Sequence, residues 1–342
     1  MTLVGREVMA MVSPAGDAPA GGTEPAGRPA VPGAGTIALL ALVWLTVTVA
    51  GARLQVERAF DGSALSLARP LFELPQVVTA CLVAGTAVTL VARQLPAGRA
   101  GHEEAGRRRA AARLGVAVVA GLAPGAGVAV PALLAYRDLP YLPALAGAMV
   151  GAALLGGLVA ALPARTAVAA GVVGALGATV VAAVVGRFEP DLRRLFGAGD
   201  GPGAVLTASG RVVLVSGLLA GLVAGAAGYA YLRRADRGAR WPAYLAAGAL
   251  PGVLTLLGEA VARAGAAALV RLIGEASPAD GTVWTYLAAV RINHGMVVLF
   301  AGALVAILLL GHLRPRAGSG SAAASDGSAE GASAEAAAQD RS

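Results

Sequence analysis

Residues 211–232 read RVVLVSGLLAGLVAGAAGYAYL, an apolar run whose only charged residue, Arg211, stands at its first position. A helix of about 20 apolar residues crosses the hydrocarbon core of a bilayer. In lipid, only helices or closed barrels satisfy the backbone hydrogen bonds, and this run lacks the alternation of a barrel strand. The run therefore predicts a transmembrane helix.

Further runs of similar length and composition follow the same pattern, at 36–52, 75–93, 113–135, 142–162, 166–186, 242–262 and 293–312. Hydrophobic residues make up 57% of the chain and charged residues only 14%. Soluble domains carry about 25% charged residues, so this composition is wrong for one. The sequence predicts an all-α integral membrane protein with about eight transmembrane helices.

The ends of the chain differ in composition from its middle. Residues 1–34 are rich in Pro, Gly and Ala, and 314–342 are rich in Ser, Gly, Ala and Glu. Such segments cannot bury enough apolar surface to fold, so both are predicted to be disordered. The transmembrane domain is predicted to occupy 35–313.

The arginines predict the orientation. Every basic residue is Arg, and arginines concentrate in 93–113 and 233–240. Loops rich in basic residues stay in the cytoplasm, so eight spans also place both termini there. We interpret the Arg, Ala, Gly and Val excess as a high-GC bacterial coding bias, which predicts a bacterial cell membrane. The net charge of +7 would suggest nucleic acid in a soluble protein. Here the arginines flank apolar runs, so the lipid bilayer is the predicted partner and nucleic acid is not.

Two pairs of short sequence matches suggest an internal duplication. LVAGTA at 82–87 matches LVAGAA at 222–227, and AGLAPG at 120–125 matches AGALPG at 247–252. The matches keep one order along the chain, which fits two parallel four-helix halves, 36–162 and 166–312, of a kind that some transporters use. Chance is the alternative, because an Ala/Gly/Val/Leu alphabet produces short identities easily.

Small residues at four-residue spacing allow close helix contact. Gly217, Gly221 and Gly225, with Gly228 nearby, form such a row, and Gly147 with Gly151 forms a shorter one. We interpret both as packing surfaces within the chain. A homo-oligomer interface, a partner membrane subunit or a pore-lining surface is the alternative.

The matched Pro124-Gly125 and Pro251-Gly252 pairs lie inside the third and seventh predicted spans. Proline removes one backbone hydrogen bond, so both helices are predicted to kink or break. Broken helices can line a midplane binding site, although plain kinks are the alternative interpretation.

Glu259 and Arg263 are four residues apart in an apolar helix and can therefore form an ion pair. Ionisable groups within a span indicate function by default, but a pair near the membrane boundary can also be purely structural. Arg291, Asn293 and His294 cluster at the predicted start of the last span and are interpreted as an interfacial polar cap. His294 has no neighbouring His or Cys in sequence, so no metal site is predicted.

The sequence lacks GxxxxGK[ST], HExxH and GxSxG motifs, and its loops are too short for a catalytic domain. An enzyme is therefore the less favoured interpretation, and no cofactor is predicted. The favoured function is transport of a small solute, supported by the paired Pro-Gly sites and Glu259. The alternative is a scaffold or accessory subunit of a membrane complex.

Overall fold

The computed structural model describes residues 31–59, 64–94, 105–136, 141–197, 199, 201–276 and 278–312. The predicted disordered segments lie outside these residues, except for 31–34. Val31 is buried, and its carbonyl accepts a hydrogen bond from Gln94 Nε2 at 2.8 Å. Of the predicted N-terminal segment, residues 31–34 are therefore packed against the bundle.

The described residues are helical and contain no strand. The helices are α1 (Ala34–Ala59), α2 (Ala64–Ala92), α3 (Ala105–Ala135), α4 (Leu142–Ala161), α5 (Arg165–Arg187), α6 (Glu189–Leu195), α7 (Pro202–Ala235), α8 (Trp241–Ala276) and α9 (Pro278–His312). All except the short α6 are long and apolar enough to cross a membrane, which makes eight candidate spans in the described part of the chain. The predicted all-α polytopic membrane fold is confirmed.

The last span is longer than predicted. It begins at Trp284 rather than at residue 293. Arg291, Asn293 and His294 dilute the hydropathy of this stretch, which is why its start was misplaced. These three residues lie inside α9, well after it begins at Pro278.

Helix α2 lies at the centre of the bundle. It packs against α1, α3 and α4 on one side and against α8 on another. Val78 and Leu82 of α2 and Leu254 of α8 are among the largest fully buried side chains. In contrast, Leu39 and Val47 of α1 are more than half exposed, as expected for side chains that face lipid.

The two sets of four long helices share most of their contacts, except that α5 also packs against α8 with no comparable contact between the described residues of α1 and α3. In the first set, α2 contacts α1, α3 and α4, and α3 contacts α4. In the second set, α7 contacts α5, α8 and α9, and α8 contacts α9. Helices α1, α2, α3 and α4 thus take the places of α5, α7, α8 and α9.

Arg233, Arg234, Arg237 and Arg240 lie where α7 ends and α8 begins. We call this side of the bundle the Arg-rich end. Because successive spans alternate in direction, the C-terminal part of α8 and the N-terminal part of α9 lie toward the opposite end.

Candidate functional site

Glu259 is the one charged side chain that is buried among the described residues, with 3% of its surface exposed. It lies on α8, which packs against α9, α5 and α2. A carboxylate removed from water is costly unless charged partners and hydrogen bonds compensate it. The chain supplies both.

Two arginines bind the Glu259 carboxylate. Arg263 Nε lies 3.1 Å from Oε1, one turn along α8 as the spacing predicted. Arg291 of α9 donates through Nε to Oε2 at 2.7 Å and through Nη2 to Oε1 at 3.3 Å. The contact from α9 depends on helix packing, and the sequence interpretation, which placed Arg291 in a cap, missed it.

An aromatic ring holds the Arg291 guanidinium from another direction. The guanidinium carbon lies 4.8 Å from the centre of the Trp284 ring. Trp284 is buried and contacts Phe72 of α2, with the ring centres 6.2 Å apart. A cation over an indole face is attracted without losing its charge. Arg291 is thus held between the Glu259 carboxylate and the Trp284 ring.

Glu259 and Arg291 line a cavity of about 360 Å³, which we call the polar cavity. Five helices form its wall: Trp44 from α1; Pro75, Gln76, Thr79 and Val83 from α2; Ala175, Ala178, Thr179 and Ala182 from α5; Pro251, Leu254, Thr255 and Glu259 from α8; and Arg291, His294 and Val298 from α9. It extends from Pro251, inside the α8 span, toward the end opposite the Arg-rich end. Of the described site candidates, His294 lies in this cavity, whereas Asn293 is exposed and is not part of its wall.

Three threonine hydroxyls contribute hydrogen-bond acceptors to this cavity. Thr79 donates to the Pro75 carbonyl at 2.8 Å, Thr179 to the Ala175 carbonyl at 2.9 Å, and Thr255 to the Pro251 carbonyl at 3.0 Å. Each hydroxyl proton is engaged on its own helix, so each oxygen offers a ligand its remaining lone pairs. The wall therefore combines guanidinium donors with hydroxyl acceptors.

Of the predicted kinks or breaks at the Pro-Gly pairs, the breaks are not observed. Helices α3 and α8 continue through Pro124-Gly125 and Pro251-Gly252. Pro251 instead contributes its side of α8 to the polar cavity, and Gly252 lies against the backbone of Leu299 in α9. The pair serves close packing beside the cavity rather than a break within it.

The glycine row of α7 faces α9. A Cβ at Gly217 would lie 3.2 Å from His294 Nδ1, one at Gly221 would lie 2.6 Å from the Ala301 methyl group, and one at Gly225 would lie 2.5 Å from the Gly302 carbonyl. Gly228 is turned toward the Ala170 and Ala247 carbonyls instead. In contrast, no described atom lies within 4 Å of a Cβ at Gly147 or Gly151, so no described residue packs against this second pair.

A second cavity of about 220 Å³ lies among the helices of the first set, and we call it the apolar cavity. It is lined by Val49, Ala52, Arg53, Val56, Glu73, Leu74, Val77, Val128, Pro131, Ala132, Ala135, Tyr136, Tyr141, Leu142, Leu145 and Met149. Arg53 is tied to Glu57 by an ion pair of 2.7 Å at an exposed position. Apart from Arg53, Glu73 and two tyrosines, the wall is apolar.

The fold and site define a polytopic α-helical membrane protein with a charged cavity between its spans. The chain matches no protein-family model, no curated protein and no solved structure. The physical chemistry of the cavity is therefore the basis for assigning a function.

Proposed function

We propose that this protein is a membrane transporter of the permease type for a small solute, with the polar cavity as its binding site. The observation that carries the proposal is the cavity of about 360 Å³ that reaches the buried Glu259. Ligand sites commonly measure about 300–1,000 Å³ and place a few polar groups in an apolar wall. Charged groups within membrane spans typically mark solute or ion pathways.

The position of the cavity supports the same function. Its wall runs from the middle of the α8 span, at Pro251, to Arg291 in the part of α9 that lies away from the Arg-rich end. Transporters commonly bind their solutes near the midplane, between structurally repeated halves. We place the Arg-rich end and both termini in the cytoplasm of a bacterial cell, which would direct the cavity toward the outside.

The scaffold alternative requires an interaction surface that faces outward. The glycine row Gly217, Gly221 and Gly225 faces α9 and is used inside the chain, so it does not supply that surface. The outward pair Gly147 and Gly151 could still meet a partner subunit. Transport accounts for the buried charges, whereas the scaffold function gives them no role.

Two neighbouring residues of α5 provide a matched test. Thr179 lines the polar cavity, while Val180 is 64% exposed and faces the surroundings of the bundle. Cys81 is the only native cysteine, so a Cys81→Ser chain is free of cysteine. Thr179→Cys and Val180→Cys are each introduced into that chain, which is then placed in sealed vesicles.

A membrane-impermeant charged thiol reagent is applied from either face. Only a thiolate in contact with water reacts, so the Val180→Cys variant, whose thiol faces lipid, should stay unmodified. A transporter exposes its cavity to both faces in turn, so the Thr179→Cys variant should react from each. Reaction from one face alone would contradict transport and leave a receptor-like cavity. No reaction from either face would favour the scaffold.

A further inference from the structure

The walls of the two cavities correspond in part. The sequence match between 120–125 and 247–252 aligns α3 with α8, and by that alignment Val128 and Ala132 occupy the places of Thr255 and Glu259. Val128 and Ala132 do line the apolar cavity, as Thr255 and Glu259 line the polar one. The alignment was fixed by the Pro-Gly pairs and not by the cavities, so this agreement is independent support.

Backbone packing aligns α4 with α9 in the same way. A Cβ at Gly125 would meet Val150, and one at Gly252 would meet Leu299. Likewise Gly121 faces Ala153 and Gly157, where its counterpart Gly248 faces Gly302 and Ala306. The three matched pairs share one offset along the chain, and that offset pairs each α4 residue with an α9 residue. By this offset, Leu142, Leu145 and Met149 of α4 correspond to Arg291, His294 and Val298 of α9. The first three residues line the apolar cavity, and the last three line the polar cavity.

Helices α1 and α5 extend the correspondence, whereas α2 lines the apolar cavity and no described residue of its counterpart α7 lines the polar one. Val49, Ala52, Arg53 and Val56 line the apolar cavity, and Ala175, Ala178, Thr179 and Ala182 line the polar cavity at one constant offset. A repeated packing scheme, repeated glycine contacts and repeated cavity walls together fit two copies of one four-helix unit. The α5, α8 and α9 walls of the polar cavity thus have counterparts in the first set, and α1 and α2 close the polar cavity from the other half.

The apolar cavity acts as an internal control for the charged residues. Where the second set carries Glu259, Arg263 and Arg291, the first set carries Ala132, Tyr136 and Leu142. The first set makes the contacts among α2, α3 and α4, which correspond to those among α7, α8 and α9, without these charges. These shared contacts therefore do not require the ion cluster, and a role in binding explains its presence.

Charge selects the class of ligand. One carboxylate is shared by two guanidinium groups, so the cluster carries one excess positive charge. Glu259 engages Nε and Nη2 of Arg291, and Arg291 itself lines the cavity, so its remaining N–H donors can bind a ligand. The guanidinium fork matches the geometry of carboxylate and phosphate oxygens. The threonine oxygens favour a ligand that also carries a hydrogen-bond donor.

We infer that the polar cavity binds a small organic anion that carries a hydroxyl or amino group, with its anionic oxygens on Arg291. The inference rests on the proposed transport function and names its substrate class. Glu259 holds the Arg291 guanidinium in position and neutralises one of the two arginine charges. The hydroxyl oxygens of Thr79, Thr179 and Thr255 accept hydrogen bonds from the hydroxyl or amino group of the ligand.

The test compares lactate with propionate, which has the same carboxylate but no hydroxyl. The purified full chain is heated in detergent with either sodium salt, with sodium chloride at equal ionic strength, or with choline chloride. A ligand at 100 times its dissociation constant should raise the unfolding midpoint by about 5–10 °C. We expect the order lactate, propionate, chloride, with no effect of choline.

Variants separate the site from general salt effects. Glu259→Gln/Arg291→Gln removes both members of the close pair, which avoids an unpaired buried charge, and should abolish the lactate shift. Arg53→Gln changes a cation at the apolar cavity and should leave the shift intact. Arg291→Lys keeps the charge but loses the fork, and should retain a smaller shift. Equal shifts in the Gln pair and the wild type would overturn the inference, as would stabilisation by choline or no anion response at all.

A lipid headgroup could supply the same chemistry. The melting experiment is therefore repeated in nanodiscs of phosphatidylglycerol and of phosphatidylcholine. A shift that appears only with phosphatidylglycerol, and not with lactate, overturns the assignment of a free solute. If no anion raises the unfolding midpoint while the Thr179→Cys variant still reacts from both membrane faces, the substrate is not a small organic anion, but the proposed transport function is retained. If the two-sided reaction fails, the transport function itself is wrong.

Discussion

The two arginines that bind Glu259 should differ in their contribution to stability. Arg291 is 27% exposed in its side chain and makes a two-bond contact, whereas Arg263 is 42% exposed and makes one bond. Removing one partner of a buried ion pair costs about 3–5 kcal/mol, because the other charge is left poorly solvated. An exposed pair contributes about 0–1 kcal/mol. We expect Arg291→Gln to lower the free energy of unfolding by about 3 kcal/mol, and Arg263→Gln by less than about 1 kcal/mol.

A double-mutant cycle isolates each pair from the rest of the chain. Glu259→Gln is combined with each arginine substitution, and unfolding is followed by helical circular dichroism as SDS is titrated into detergent micelles. The coupling energy between Glu259 and Arg291 should be about 2–3 kcal/mol, and that between Glu259 and Arg263 below about 1 kcal/mol. Equal couplings, or a Glu259–Arg291 coupling below about 0.5 kcal/mol, would refute the assignment of Arg291 as the principal partner.

Three further outcomes follow from packing and topology. Gly225→Leu should destabilise the bundle by several kcal/mol, because the leucine side chain would overlap with the Gly302 carbonyl oxygen. Gly147→Leu should melt like the wild type, since no described atom lies near its Cβ position. If both variants melt at the same temperature, the glycine row does not pack against α9. Reporter fusions after Arg237 and Arg316 should report the cytoplasm, because the Arg-rich segments stay inside. A fusion at Gly201 should report the outside, and the reverse pattern would invert the orientation.

Much of the fold was predictable because membrane spanning is a property of local composition. Run length and low charge located all eight spans, and the four-residue spacing located the Glu259–Arg263 pair. The start of α9 was missed because Arg291, Asn293 and His294 interrupt its apolar pattern. Charged residues inside a span lower its mean hydropathy, so a prediction from hydropathy makes that span too short.

The site itself was only partly predictable. Arg291 lies far along the chain from Glu259, and only the packing of α9 against α8 brings the two together. The sequence matches at 82–87 and 120–125 with their counterparts suggested two halves, but they did not predict the two cavities. Short identities cannot establish which side chains of four helices converge. The helix breaks at the Pro-Gly pairs were over-predicted, because neighbouring helices can support a helix through proline.

If the charges of the polar cavity serve binding, the chain should fold without them. The most direct test installs the residues of the apolar cavity at the matching positions, as Glu259→Ala/Arg263→Tyr/Arg291→Leu, and measures the free energy of unfolding. Replacing a buried ion cluster with apolar residues is often neutral or stabilising by about 1–4 kcal/mol. We therefore predict a variant at least as stable as the wild type that no longer responds to lactate. A decrease of more than about 2 kcal/mol in the free energy of unfolding would show that the ion cluster is needed for folding.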